Sequence, residues 1–263
     1  SLISGIEIAA QKSDYTVIIM QSHDSYDEEV NMAKSLYSNR VSGVICSLAM
    51  ETRDTAHFHQ FSNNNIPLVF VDRVPKDYNT FRVVIDNYSA GYKATKHLIE
   101  QGCLRIAHLT AGSELGNLYN ERKRGYIEAL KDHNVDIDEK LIINLNSVTY
   151  EDGVKASNAL FDLDPIPDGL FAPGDILAVS AVQTAKKKGI KVPQDFAVIG
   201  FNNDPISEII EPNISTITHP ADKMGKAAAN IVIDNIESRK EEEAKEITFL
   251  NTEVLIRESS ERA

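Results

Sequence analysis

The sequence predicts an α/β protein of two similar lobes, and three observations carry that expectation. Short apolar runs alternate with longer stretches whose apolar residues recur at helical spacing, as in Leu2, Ile3, Ile6, Ala9 and Ala10. The alternation yields more strands than one sheet comfortably holds. Gly102 divides it into two similar series of β/α units. Alternation of this kind means parallel sheets covered by helices on both faces, so each series reads as a Rossmann-like lobe.

Taken in order, the first helix is followed by a buried strand over Tyr15 to Met20, YTVIIM. A helix over Glu28 to Ser38, a strand over Val41 to Leu48 and a helix over Thr52 to Asn63 come next. Asn64, Asn65 and Pro67 punctuate the chain before the strand Leu68 to Val71, and a short strand over Arg82 to Ile85 leads to a helix from Ser89 to Glu100. Gly102 is the C-terminal stop of that helix. The second series runs strand Arg105 to Thr110, helix Asn117 to Asp132, strand Leu141 to Leu145, helix Tyr150 to Phe161 and strand Asp168 to Ala172. The helix Ile176 to Lys188 ends in three lysines and Gly189, which suit a helix C-terminus, and the strand Phe196 to Phe201 follows. An irregular stretch to Pro220, a helix from Ala221 to Ser238 and extended segments through Ile247 to Arg257 complete the chain. The charged run Arg239 to Glu246 reads as a solvated connection.

Composition narrows the class. At about 150 residues per domain, 263 residues make one large domain or two modest ones. Hydrophobic residues at 42% and charged residues at 25% are ordinary for a globular chain. No apolar run approaches the roughly 20 residues of a membrane span. A formal charge of -12 argues against a broad grip on phosphate backbone by this chain itself. Cys46 and Cys103 have no metal-ligand spacing and read as a reduced pair. The start SLISGIEIAAQ lacks the basic region of a signal peptide, and Ser1 without an initiator Met reads as the start of a fragment or processed chain; the expected compartment is the cytoplasm.

Enzymatic signatures are mostly lacking: there is no G-x-G-x-x-G after a strand, no P-loop and no G-x-S-x-G. His57 and His59 read as surface histidines rather than a metal pair, and Asn213-Ile214-Ser215 as an accidental glycosylation match. No metal, cofactor or catalytic residue is expected.

Position is more telling, because open parallel sheets bind ligands outside the carboxyl ends of their strands. The residues there are short and polar: Gln21 to Asp24, Ser47, Asp72 and Arg73, Asp86 and Asn87, Ala111 to Ser113, Gly174 and Asp175, and Asn202 to Asp204. Such residues suit a hydroxylated or heterocyclic ligand, and equally suit turns and helix caps. Arg122 falls on the inward stripe Leu118, Arg122, Gly125, Tyr126 and Ala129, so its guanidinium needs a partner, either an internal carboxylate or a ligand acceptor. Phe171 is either a core residue or a stacking platform for a sugar or base, and Asp175 is most simply a helix N-cap.

Several ordered motifs then add a resemblance: IPLVFVDR (Ile66 to Arg73), VVIDNYSAGYKATKHLIEQG (Val83 to Gly102), ERKRGYIEAL (Glu121 to Leu130), GLFAPGDILAVSAVQTAKKKGIKVPQDFAVIGF (Gly169 to Phe201) and TEVLIRESS (Thr252 to Ser260). Together they resemble the ligand-binding region of the lactose-repressor/galactose-repressor family of bacterial transcription regulators. The resemblance implies a periplasmic-binding-protein-like fold of two lobes joined by three crossover strands. The N-lobe would hold 1–102 plus 220–246, and the C-lobe 103–219 plus 247–263.

It further implies a small-molecule effector, a sugar or a purine-like metabolite, in an interlobe cleft. A homodimer is implied, with operator DNA read only through a helix-turn-helix module that is not in this sequence. The implied mechanism is that the effector favours one lobe arrangement, a coupling of about 1–3 kcal/mol in typical cases. A solute-binding protein of a sugar transporter is the alternative with the same fold. By analogy Asp86, Arg122, Gly174 and Asn202 fall at effector-contacting positions, with Phe171, Asp175 and Asp72 beside them on the strand ends. Two positions depart from the sugar-binding pattern: Gly174 stands where Asn is common, and Asn202 where Asp is common.

Overall fold

The computed structural model describes residues 1–112, 118–238 and 246–262. The chain forms two compact units. In the first series, α1 (Leu2–Lys12) and α2 (Tyr26–Ser38) precede strand β1 (Val44–Cys46). A single 3-10 turn, Ala56–Phe58, runs into the short α3 (His59–Ser62), followed by β2 (Leu68–Val71) and β3 (Phe81–Ile85). The second series is α4 (Asn87–Glu100), β4 (Ile106–Ala111), α5 (Leu118–Asp132), β5 (Ile142–Leu145), α6 (Tyr150–Phe161), β6 (Gly169–Phe171), α7 (Asp175–Lys187), β7 (Ala197–Asn202), α8 (Ile206–Ile209) and β8 (Ser215–Thr218). Then come α9 (Ala221–Ser238), β9 (Ile247–Leu250) and β10 (Val254–Leu255).

The first unit, residues 1–85, 220–238 and 246–251, is a parallel sheet in the order β1-β2-β3-β9. Its β2 is buried at every position, as a central strand covered on both faces should be. Phe58, Phe61, Phe70 and Tyr78 form an aromatic core with Leu48 and Ala33. Phe70 meets Phe58 and Tyr78 edge-on, at centroid distances of 5.0 and 5.5 Å.

The second unit, residues 86–112, 118–219 and 252–262, has the sheet order β10-β8-β7-β6-β4-β5. All its pairings are parallel except β10 with β8. Read from β5, the first five strands follow the order 2-1-3-4-5, which reverses direction between β4 and β6.

Several expectations need correction. The apolar run Tyr15 to Met20 is not a strand, and Ile18, Ile19 and Met20 are 61%, 50% and 42% exposed. It has strand chemistry but no hydrogen-bonded neighbour among the described residues. The expected strand Val41 to Leu48 shrinks to β1, and the expected helix Thr52 to Asn63 to the 3-10 turn and α3. His57 is not a surface residue: its side chain is buried, with Nε2 3.0 Å from Glu29 Oε1. The Glu29 carboxylate also accepts from the Ala49 N–H at 2.7 Å and the Thr52 hydroxyl at 3.0 Å.

The expected lobe boundary at Gly102 lies instead after Ile85, and the one expected before Ile247 lies after Asn251. Gly102 does end α4, with a positive φ of 83°. But α4 packs on α5, so it belongs with the second series rather than the first. Gly91 and Gly125 let the helix backbones meet: a Cβ on Gly125 would stand 2.1 Å from the Tyr88 carbonyl oxygen, and one on Gly91 2.2 Å from that of Arg122. Likewise β9 pairs with β3 and not with the second unit. The run Arg239 to Glu246 lies, but for Glu246, outside the described residues, as do Ser113 and Asn117. No helix among the described residues is long and apolar enough to cross a membrane. Both cysteines are free thiols, and burial pushes the Cys103 thiol up to about 12.

Candidate functional site

The second unit gathers most of the candidate residues at the carboxyl ends of β4, β6 and β7, around the reversal between β4 and β6. Open sheets of this order leave a crevice for ligands there, because the helices after the two strands leave on opposite faces.

Arg122 is built into this edge from α5. The apolar stripe of that helix faces the sheet, and Leu118, Gly125, Tyr126 and Ala129 are buried with Arg122, which is 3% exposed. Its Nε donates to Asn87 Oδ1 at 2.9 Å and its Nη1 to the Pro173 carbonyl at 3.0 Å. The guanidinium carbon lies 3.4 Å from the Phe201 ring centroid, a desolvated cation–π contact. Of the two partners left open from sequence, these contacts supply neither: the acceptors are a neutral amide and a carbonyl.

Asp175 is not the N-cap. Gly174 holds that place and Asp175 is the first residue of α7, fully buried. Its carboxylate accepts from the Thr216 hydroxyl and from the Asp204 N–H, both at 2.7 Å. Burial outweighs these bonds and pushes the carboxyl up to about 6. Asn202 ends β7 at a φ of 103° and donates from Nδ2 to Asp204 Oδ2 at 3.3 Å, joining the same network. Gly174 has an extended backbone, and a Cβ there would meet nothing within 4 Å. Gly174→Asn is therefore expected to hold or raise the melting temperature slightly, since Asn is a good N-cap. A drop of more than about 3 °C in a thermal melt, roughly 1 kcal/mol at this size, would contradict that.

Phe171 offers no open platform. It is fully buried, its ring stacked on His108 at 4.7 Å, and His108 stacks in turn on Tyr126 at 5.0 Å. His108 is neutral, because burial pulls its imidazole down to about 3. Its Nδ1 lies 3.0 Å from the Phe171 carbonyl, which makes Nδ1 the donor and leaves Nε2 an acceptor. That Nε2, and Thr110 Oγ1 two residues along the same face of β4, are buried with no hydrogen-bond partner among the described residues. Asp86 is exposed and caps α4, accepting from the Ser89 N–H at 2.8 Å, which sets the next residue, Asn87, against Arg122. Asp72, at the end of β2 with a φ of 61°, belongs to the first unit.

Sequence reasoning missed Phe201, Thr216 and His108. Phe201 adjoins Asn202 at a strand end and could have been included on position; nothing local marks Thr216 or His108. Among the described residues, no group of three or more His, Cys, Asp or Glu could hold a metal ion.

Residues 95–260 match the periplasmic binding protein-like domain family. The repressor PurR of Vibrio atlanticus is 28% identical over 259 residues, 97% of this chain and 75% of that protein. The repressor CytR of Escherichia coli is 29% identical over 238 residues, covering 90% and 69%. Among solved structures, the transcriptional regulator CelR–cellobiose complex superposes with a TM-score of 0.87 at 29% identity, over 98% of this chain and 77% of that one. The regulator CcpA of Lactococcus lactis does so at 0.88 and 25% identity, over 99% and 93%. With its ordered motifs, its 2-1-3-4-5 sheet and these relatives, the chain belongs to the periplasmic binding protein-like domain family, in the branch of the lactose-repressor/galactose-repressor regulators.

Proposed function

We propose that the chain is the effector-binding region of a bacterial transcription regulator and holds a small hydroxylated ligand over the carboxyl ends of β4, β6 and β7. The observation that carries this reading is the buried Arg122 at the strand-order reversal, anchored by Asn87, Pro173 and Phe201. A guanidinium held in place in this way loses little freedom when a ligand's hydroxyl or ring oxygens come against it. Asn202 adds an amide where a carboxylate would bind vicinal hydroxyls bidentately. A sugar, as in the CelR–cellobiose complex, fits better than a purine, because Phe171 is already stacked on His108.

PurR and CytR are repressors and CelR and CcpA are transcription regulators, which favours a regulator over a transporter's solute-binding protein. On this reading the protein works as a cytoplasmic homodimer, catalyses no reaction, and meets operator DNA through a separate module. The ligand acts by binding one conformation more tightly than another.

Calorimetry with cellobiose, ribose and hypoxanthine tests the proposal. One of the two sugars is expected to bind and to raise the melting temperature. Arg122→Lys should weaken that binding at least tenfold with little change in fold, since Lys keeps the charge but lacks the fork. Wild-type affinity in Arg122→Lys, or binding of hypoxanthine alone, would overturn it.

A further inference from the structure

Asp175 is the first residue of α7 and is fully buried beside the strand ends. Its carboxylate fills a space that β7 leaves open, since a Cβ on Gly200 would stand 2.2 Å from its Oδ1. A carboxylate is costly to bury unless it is hydrogen-bonded, and both oxygens of this one are engaged by the chain beyond β7. Oδ2 accepts from the Asp204 N–H at 2.7 Å, and Oδ1 from the Thr216 hydroxyl at 2.7 Å. The Thr216 oxygen in turn accepts from the Asn203 N–H at 3.2 Å.

The turn held in this way is one that the backbone alone disfavours. Asn202 and Asn203 stand at φ of 103° and 58°, in the left-handed region that residues other than glycine rarely adopt. Such residues persist only where their surroundings over-determine them. Asp175 acts on the turn twice, directly at Asp204 and by way of Thr216 at Asn203. From the other side, Arg257 donates to Asn203 Oδ1 at 2.7 Å and to the Ile214 carbonyl at 2.8 Å. The His219 N–H donates to the Asn202 carbonyl at 3.3 Å.

A proton changes this clamp. An ionised carboxylate only accepts, and its bonds are roughly twice as strong as neutral ones. A protonated one must place its own hydrogen where a donor already points. Either the Thr216 hydroxyl turns round or the Asp204 bond is lost, and what survives is neutral. Burial is what holds the carboxyl at about 6; of the charges facing it, Asp204 on the turn adds to the rise and Arg257 beyond β10 opposes it. His219, after β8, meets the turn through its backbone.

Resting on the effector-binding reading, we propose that Asp175 is a positioning residue whose ionised carboxylate holds the Asn202–Asp204 turn so that the Asn202 amide meets the ligand. A proton on Asp175 loosens the turn, so the effector is bound more tightly at neutral than at mildly acid pH. Asp175 itself lies too deep to touch the ligand.

Calorimetry with cellobiose and ribose, on the whole chain from about pH 8 to about pH 5, tests this; neither sugar titrates in that range. For the sugar that binds, wild-type affinity should fall at least about fivefold across the range, bending near pH 6. Asp175→Asn keeps the shape without the charge, and should bind at every pH about as weakly as the wild type does in acid. Thr216→Val removes a bond that favours the anion, so its bend should move to higher pH. If Asp175→Asn fails to fold, that displaced bend carries the comparison. A merely structural role would weaken binding in the variants and leave the wild-type profile flat. A flat wild-type profile, a bend that persists in Asp175→Asn and so belongs to His219, or a bend unmoved in Thr216→Val would each overturn the proposal while leaving the effector reading intact. If neither sugar binds the wild type at any pH, the effector reading fails and this inference falls with it.

Discussion

Gly125→Ala is expected to destabilise the second unit by more than about 3 kcal/mol, although alanine is the better helix former. The added Cβ would stand 2.1 Å from the Tyr88 carbonyl oxygen and 2.6 Å from the Tyr92 nitrogen, both backbone atoms of α4. No rotamer change relieves such a clash, so the two helices must separate. Overpacking of a well-packed contact costs about 1–3 kcal/mol, and a backbone obstacle lies at the top of that range or above it. The helix-propensity gain of up to about 1 kcal/mol offsets only part. The loss of melting temperature should therefore exceed about 6 °C. Because α5 carries Arg122 and α4 carries Asn87, ligand affinity should fall with it. A melt within about 2 °C of wild type would show that the helices are further apart than described.

The second large effect is visible only when two buried groups are separated. Asp175 has its carboxyl raised from 3.8 to about 6, so the native state keeps a proton that the unfolded chain releases above about pH 4. Its contribution to stability is lost as pH rises between those values. His108 has its imidazole lowered from 6.5 to about 3, so the unfolded chain takes up a proton that the native state refuses. Its contribution is lost as pH falls below about 6.5, and His97, held below its usual range by burial, acts in the same sense. Between about pH 4 and 6 the two slopes, each about 1.4 kcal/mol per pH unit, nearly cancel. Wild type should thus be almost flat there in denaturant titrations. Asp175→Asn should lose about 3 kcal/mol on going from pH 6 to 4, and His108→Phe, which keeps the ring stack, should gain a comparable amount. Parallel profiles for all three proteins would show that neither group titrates as described.

The sequence carried much of the fold and less of the site, for reasons the residues make plain. Period and punctuation placed β2, α6 and α7 within a residue or two, because continuous burial and helical stripes are local signals. The α4–α5 contact escaped because Gly91 and Gly125 act across helices, while Gly102 offered a more conspicuous dividing mark. The run Tyr15 to Met20 was read from its chemistry, whereas a strand exists only with a partner. Arg122 was legible because a charge on an apolar stripe is conspicuous. Its ring partner Phe201, and the burial of Phe171 under His108, depend on which strands are neighbours, and no local spacing encodes that.

The two strands after α9 have a consequence for synthesis. The β9 strand joins the first sheet beside β3, and β10 joins the second beside β8, so each sheet receives a member from beyond α9. Neither unit can reach its finished form until both strands have been made, and pairings this distant in sequence form slowly. A premature stop or a proteolytic clip shortly after α9 would therefore damage both halves at once and release no intact lobe.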